Sequence, residues 1–238
     1  MSGRPPLRDD LAAFARLTGW AYFPIAFLGR LPFAMMIVGI LTVVTTVRGS
    51  VAEAGFAAAA AGVGTAVLGP LMGSLADRFS QRVVLIIFGI ASISSALLLL
   101  ALLMSHAPIA LLIAVAFVAG GTTPQVAPFS RSRLVVFASS ARTEATRARA
   151  MSAVMSYESV MDEASFVLGP VLVGVVTALI APWAPLVVGA LITATVITAF
   201  ALHPSGAAVP RTVETNLGAR TRAFSAEIAT LALAMLLV

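Results

Sequence analysis

Two long intervals of this sequence contain no Asp, Glu, Lys or Arg. One holds 48 residues between Arg82 and Arg131, the other 47 between Glu163 and Arg211. A helix crosses the roughly 30 Å hydrocarbon core of a bilayer in about 20 residues, so each interval has room for two crossings and a turn. The turns read as "SHAP" from Ser105 to Pro108 and "APWAP" from Ala181 to Pro185. Hydrocarbon cannot satisfy bare backbone N–H and C=O groups, so the crossings are helices. Of the 238 residues, 60% are apolar and 11% charged, against about 25% charged in a soluble domain. A water-soluble fold of this size does not hide so much apolar surface.

Six spans are predicted, from Tyr22 to Val47, Gly55 to Ala76, Val83 to Met104, Pro108 to Phe129, Ser152 to Ile180 and Pro185 to Leu202. They divide the chain into a cytoplasmic N-terminal segment (1–21), a six-helix bundle (22–202), a cytoplasmic linker (203–227) and an apolar run (228–238). In the first segment Leu7, Leu11, Phe14 and Leu17 recur at helical spacing, which predicts a short surface helix from Leu7 to Trp20. Arg4, Arg8, Asp9, Asp10 and Arg16 leave no short apolar core of the kind a cleaved signal peptide needs. The last run, "IATLALAMLLV", is too short to cross and reads as a seventh helix cut off at Val238.

All 15 basic residues are Arg. With the N-terminus inside, 13 of them fall in inside segments: Arg4, Arg8, Arg16, Arg78, Arg82, Arg131, Arg133, Arg142, Arg147, Arg149, Arg211, Arg220 and Arg222. Arg48 falls outside and Arg30 within the first span. This asymmetry sets orientation and accounts for the formal charge of +5 without nucleic acid as a partner. The partner it implies is the lipid bilayer. Trp20 and Trp183 lie near opposite interfaces, where indole rings settle.

Enzymatic chemistry finds little support. There is no Cys, and no G-x-S-x-G, H-E-x-x-H or phosphate loop. His106 and His203 are too far apart in sequence to suggest a metal site. No catalytic residue, metal ligand or cofactor is expected.

The second span contains Gly69-Pro70 in "VLGPLMG", and the fifth contains Gly169-Pro170 in "VLGPVLVG". With six spans split into two triplets, these are the middle helices of each, running in opposite directions. That is the arrangement of inverted repeats. Proline removes a helix hydrogen bond and bends the helix. Gly69 and Gly73 form a G-x-x-x-G pair that admits a close neighbour. A hinging surface and static tight packing both fit these residues.

"GSLADRFSQR" resembles the signature between the second and third helices of the major facilitator superfamily. Gly73, Leu75, Ala76, Asp77, Arg78 and Arg82 match; Ser80 stands where the family usually has Gly, and Gln81 where it usually has a basic residue. "SFVLGPVLVG" resembles the fifth-helix motif of the family's proton-coupled exporters through Gly169, Pro170 and Gly174, with Ser165 and Val173 in place of glycines. "TTPQVAPFSRSRL" and "SYESVMDEASFVLGP" look like a group of bacterial members. The resemblance covers only the N-terminal six-helix half. It implies an all-α membrane protein of two inverted three-helix repeats in the bacterial inner membrane. It also implies alternating access around a central site, a small-molecule substrate, a proton as coupling ion, and a missing C-terminal six-helix half. Asp77, Arg78 and Arg82 would then form a cytoplasmic gate.

Ionisable groups within spans are candidates for function by default. Arg30 lies about eight residues into the first span, roughly 12 Å deep at a 1.5 Å rise per residue. Glu158 and Asp162 share a face early in the fifth span, and Glu163 points away from them. Arg30 pairs with Glu158 or Asp162 in one reading, and one carboxylate carries a proton. Burial and a nearby arginine act on proton affinity in opposite senses, so occupancy switches with conformation. In the other reading the three acids sit at the inner rim, paired with Arg147 or Arg149. Thr122, Thr123 and Gln125 either line a cavity or cap backbone around Pro124 and Pro128. The leading function is a proton-coupled exporter half; the alternative is a truncated or non-transporting fragment that needs a second half or partner chain.

Overall fold

The computed structural model describes residues 18–140 and 143–209. Most of the expected surface helix, most of the linker and the expected seventh helix lie outside the described residues. Six helical stretches are long and apolar enough to cross a membrane: Tyr22–Arg48, Val51–Arg78, Gln81–Met104, Ile109–Ser139, Glu144–Leu179 and Ala184–Leu202. These are spans 1 to 6. Among the described residues there are no strands.

Local chemistry sets the boundaries. Span 1 ends at Gly49, whose φ of 67° is left-handed and suits a residue without Cβ. Ser50 then caps span 2 by accepting the Glu53 N–H. Span 2 runs to Arg78, so Asp77 and Arg78 belong to its last turn rather than to a loop. Ser80 has a φ of −178° and accepts the Val83 N–H as the cap of span 3. This extended backbone needs no glycine, so the departure from the family signature at this position supplies a helix cap instead.

Two predicted boundaries change. Span 4 extends ten residues beyond Phe129, to Ser139, and span 5 begins at Glu144 rather than Ser152. The charge-free interval closes at Arg131, but Leu134, Val135, Val136, Phe137 and Ala138 keep the helix apolar and Arg133 turns into the core. Thr143 and Thr146 form a reciprocal capping box that starts span 5 early. Arg131, Arg133, Arg147 and Arg149 are therefore helical, not loop residues.

Span 2 packs on span 4 and span 5 on span 1; span 3 packs on span 4 and span 6 on span 1. Exchanging spans 1, 2, 3 for 4, 5, 6 maps each contact onto its counterpart, as two inverted repeats require. Glycines sit at the tight crossings. A Cβ on Gly64 or Gly120 would press on the backbone of Phe117 or Ala61. A Cβ on Gly169 would lie 2.8 Å from the Ala34 carbonyl carbon. Gly73 and Gly174 face open space, and Gly69 faces the Gln125 side chain. The expected G-x-x-x-G face thus seats no second helix among the described residues. The helices run without interruption through Pro70 and Pro170. The breaks fall in spans 1 and 4, at Gly29–Arg30 and at residues 123–125, and span 6 widens into a π-helical stretch at Thr193–Ile197.

The core has two main parts. One gathers Tyr22, Phe129, Leu134, Val154 and Phe200 near the arginine-rich end. The other gathers Ile40, Ala57, Leu99, Leu112 and Ala116 toward the opposite end.

Candidate functional site

The breaks in spans 1 and 4 face one another. The Gly29 N–H returns to the Ile25 carbonyl at 3.0 Å, and a Cβ on Gly29 would lie 3.2 Å from a methyl of Val126. In span 4, Pro124 lacks an N–H, and the residue before it, Thr123, is extended with ψ 119°. The Gly120 carbonyl, which a residue-124 N–H would otherwise meet, accepts from the Thr65 hydroxyl at 2.9 Å. The Thr122 and Thr123 hydroxyls donate to the Val118 and Ala119 carbonyls, each at 2.7 Å. Thr122 and Thr123 therefore cap backbone, whereas Gln125 reaches a groove.

Arg30 sits at the first break and is 3% exposed. Its Nη2 donates to Glu158 Oε2 at 2.5 Å, its Nε to Asp162 Oδ1 at 2.9 Å and its Nη1 to the Ala26 carbonyl at 2.8 Å. Glu158 and Asp162 are one helical turn apart on span 5, so one guanidinium grips both. The Ser130 hydroxyl donates to Glu158 Oε1 at 2.7 Å, and the Tyr22 hydroxyl lies 2.9 Å from Ser130 Oγ. Arg131 Nη2 donates to Asp162 Oδ2 at 3.3 Å. The chain Tyr22–Ser130–Glu158–Arg30–Asp162–Arg131 joins spans 1, 4 and 5. It runs from a fully buried carboxylate to a half-exposed arginine, and its two cations balance its two anions. Such a cluster survives in an apolar medium only when each charge is paired and hydrogen-bonded. Glu163 faces outward and makes no ion pair with described residues.

A second polar centre lies at the arginine-rich end. Arg133 is fully buried. Its Nε donates to Gln81 Oε1 at 2.8 Å, and its Nη1 donates to the Phe200 carbonyl at 2.8 Å and to Ser205 Oγ at 3.2 Å. Its guanidinium stacks 3.9 Å from the Phe200 ring centre. Gln81 Nε2 donates on to Ser132 Oγ at 2.7 Å. Arg133 has no carboxylate among the described residues. The neutral residue at position 81 now has a physical reason, since a basic side chain there would set a second cation against a buried one. In the sequence Arg131 and Arg133 stand out only as topology signals, and Tyr22 and Ser130 carry no signal of their own. The apolar run after Arg133 was the available clue.

Between spans 2 and 4 an open groove of about 240 Å³ is lined by Gly69, Gly73, Asp77, Gln81, Gln125 and Ser132, among others. Asp77, Arg78 and Arg82 are exposed and make no ion pair with described residues. Arg78 lies 5.5 Å from the Phe79 ring centre. The structure thus joins Arg30, Glu158 and Asp162, and places Asp77 and Gln125 in one groove. It leaves Glu163 apart from both groups.

Six helices long and apolar enough to cross a membrane make this a multi-pass α-helical membrane protein. A sequence profile of the Major Facilitator Superfamily matches residues 22–238, and the chain belongs to that superfamily. No curated protein matches the chain. No solved structure matches it either.

Proposed function

We propose that the chain is the N-terminal bundle of a secondary active transporter that exports small molecules in exchange for protons. The Arg30–Glu158–Asp162 cluster is the coupling site in this reading. The observation that carries it is one buried guanidinium holding two carboxylates at the break of a span, where an ionisable group is costly and marks function. A proton on either carboxylate removes half of Arg30's anionic partnership. The guanidinium then favours the remaining acid, and spans 1 and 5 gain two arrangements. A second six-helix bundle completes the pathway, opposite the open face that carries Pro70, Pro170 and Gly174.

In the same reading the N-terminus is cytoplasmic in a bacterial inner membrane, and Asp77, Arg78 and Arg82 close the cytoplasmic side by meeting neighbouring helix ends. The Gly69-Pro70 and Gly169-Pro170 turns, with Gly174, serve as the bending elements. Gln125 lines the substrate path. Glu163 remains a pathway candidate on the outward face.

The test is transport by the intact transporter in proteoliposomes under an imposed pH gradient, with Glu158→Gln and Asp162→Asn made separately. Loss of pH-driven flux with substrate binding retained supports the reading. Unchanged proton-coupled flux in both variants removes it.

A further inference from the structure

We propose that Glu158, and not Asp162, is the acid that takes up the proton, at its Oε1 atom, with the Ser130 and Tyr22 hydroxyls as positioning groups that serve both protonation states. This rests on the coupling role proposed for the Arg30–Glu158–Asp162 cluster and decides between its two carboxylates.

A carboxylic acid out of water needs an acceptor for its O–H. The hydrogen bonds of the Asp162 side chain offer none. Its Oδ1 receives Arg30 Nε at 2.9 Å, and its Oδ2 receives Arg131 Nη2 at 3.3 Å. A guanidinium carries donors and no acceptor, so a hydrogen on either oxygen would point at the N–H groups of a cation. Asp162 is 24% exposed, so water reaches it, but two cations hold its charge in place.

Glu158 differs at one oxygen. The residue is fully buried, and its Oε2 receives Arg30 Nη2 at 2.5 Å. That oxygen accepts whether the group is ionised or neutral. Oε1 instead faces the Ser130 hydroxyl at 2.7 Å, and a hydroxyl both donates and accepts.

The two hydroxyls have a complete set of hydrogen bonds in each state. With Glu158 ionised, the Tyr22 O–H donates to Ser130 Oγ at 2.9 Å, and Ser130 donates to Oε1. With a proton on Oε1, that O–H donates to Ser130 Oγ, and Ser130 donates to the Tyr22 oxygen. The Tyr22 O–H then turns to the Ser130 carbonyl, which lies 3.2 Å away. One proton from solution forms one O–H bond at Oε1, no bond breaks, and two hydroxyls rotate. Tyr22 and Ser130 are fully buried, so an orphaned donor there would cost on the order of 1–3 kcal/mol. Neither arrangement leaves one.

The charged and titratable groups around Glu158 are Arg30 and Tyr22 of span 1, Arg131 of span 4, and Tyr157 and Asp162 of span 5. Behind Tyr22 lie His203, with ring centres 5.5 Å apart, and Arg133. Span 6 has no charged residue between Ala184 and Leu202. Arg30 alone sets a charge directly against Glu158.

The test is infrared difference spectroscopy of the full chain in lipid bilayers as pH is lowered. The expected result is a protonated-carboxyl C=O band that is lost in Glu158→Gln and persists in Asp162→Asn. Ser130→Ala is expected to move the band to higher wavenumber, because the acid loses its acceptor. The sequence has two tyrosines, so the phenolic C–O stretch of Tyr22 can be assigned by its loss in Tyr22→Phe. That stretch is expected to change in step with the carboxyl band, which a merely structural hydroxyl would not do. Where Ser130→Ala does not fold, the tyrosine signal of the unaltered chain decides. A band lost in Asp162→Asn and kept in Glu158→Gln overturns the proposal. So does a Glu158 band with an unchanging Tyr22 stretch, or no Glu158 band before the fold is lost. pH-driven flux by the intact transporter is measured in parallel. An Asp162 band with flux lost in Asp162→Asn leaves the coupling reading standing and removes Glu158 as the proton carrier; a Glu158 band with flux unchanged in both variants does the reverse.

Discussion

Arg30 and Glu158, 128 residues apart in the chain, meet at 2.5 Å with side chains 3% and 0% exposed. The pair ties the break of span 1 to the middle of span 5, whose early start at Glu144 moves Glu158 away from the helix end. Removing the Glu158 charge leaves Arg30 with Asp162 alone and unbalances the buried cluster, which costs on the order of 3 kcal/mol. Glu158→Gln is expected to destabilise the bundle by about that amount in reversible unfolding from detergent micelles. Asp162→Asn is expected to do less, because Asp162 is 24% exposed and already shared with Arg131.

Gly169→Ala and Gly174→Ala should behave differently despite their similar place in the motif. The first drives a methyl into the Ala34 backbone, the second points into open space. Overpacking of this kind costs about 1–3 kcal/mol. Thermal unfolding monitored by size-exclusion should show a clear loss for Gly169→Ala and none for Gly174→Ala.

At position 81, sign decides the outcome. Gln81→Arg adds a cation beside the buried Arg133 and is expected to lower the melting temperature. Gln81→Glu gives Arg133 an anionic partner at the 2.8 Å position now held by the amide oxygen, and is expected to raise or preserve it. Equal losses in both variants would show that Gln81 acts by shape alone.

His203 should make the exit of span 6 sensitive to acid. Its Nδ1 accepts the Ser205 N–H at 3.3 Å and lies 2.9 Å from Ser205 Oγ, so the neutral ring fits. Burial, and then the Arg133 charge, push its pKa below the ordinary 6.5. A base with a lowered folded pKa stabilises the fold above its unfolded pKa and loses that contribution as pH falls through the folded one. The amide protection factors across residues 203–208, exchange rates divided into their intrinsic base-catalysed values, are expected to be flat above pH 6.5 and to fall as pH drops below it. His203→Gln should abolish the dependence.

Much of the architecture was legible because charge in a membrane chain is scarce and each charge carries information. The two charge-free intervals placed four spans, and the twin Gly-Pro phrases pointed to the repeat that the packing of span 2 on 4 and span 5 on 1 displays. The same scarcity misled at span 4. Arg131 looked like an end, yet the helix continues eight residues further. A guanidinium buried by Gln81, Ser205 and Phe200 does not stop a helix, and those partners lie far away in sequence. Glu158 and Asp162 were visible as helical neighbours. That Ser130 and Tyr22 complete their shell depends on packing between spans and leaves no trace in local pattern. Thr122 and Thr123 looked equally suited to a cavity or a cap, and the Pro124 geometry resolved them as caps.

The Thr65 hydroxyl on the Gly120 carbonyl has a mechanical meaning. A carbonyl freed by proline would ordinarily draw in water and turn the gap into a soft joint. Here a neighbouring span plugs it, so the discontinuity in span 4 is a welded elbow. Motion of this bundle then carries spans 2 and 4 together as a single plate.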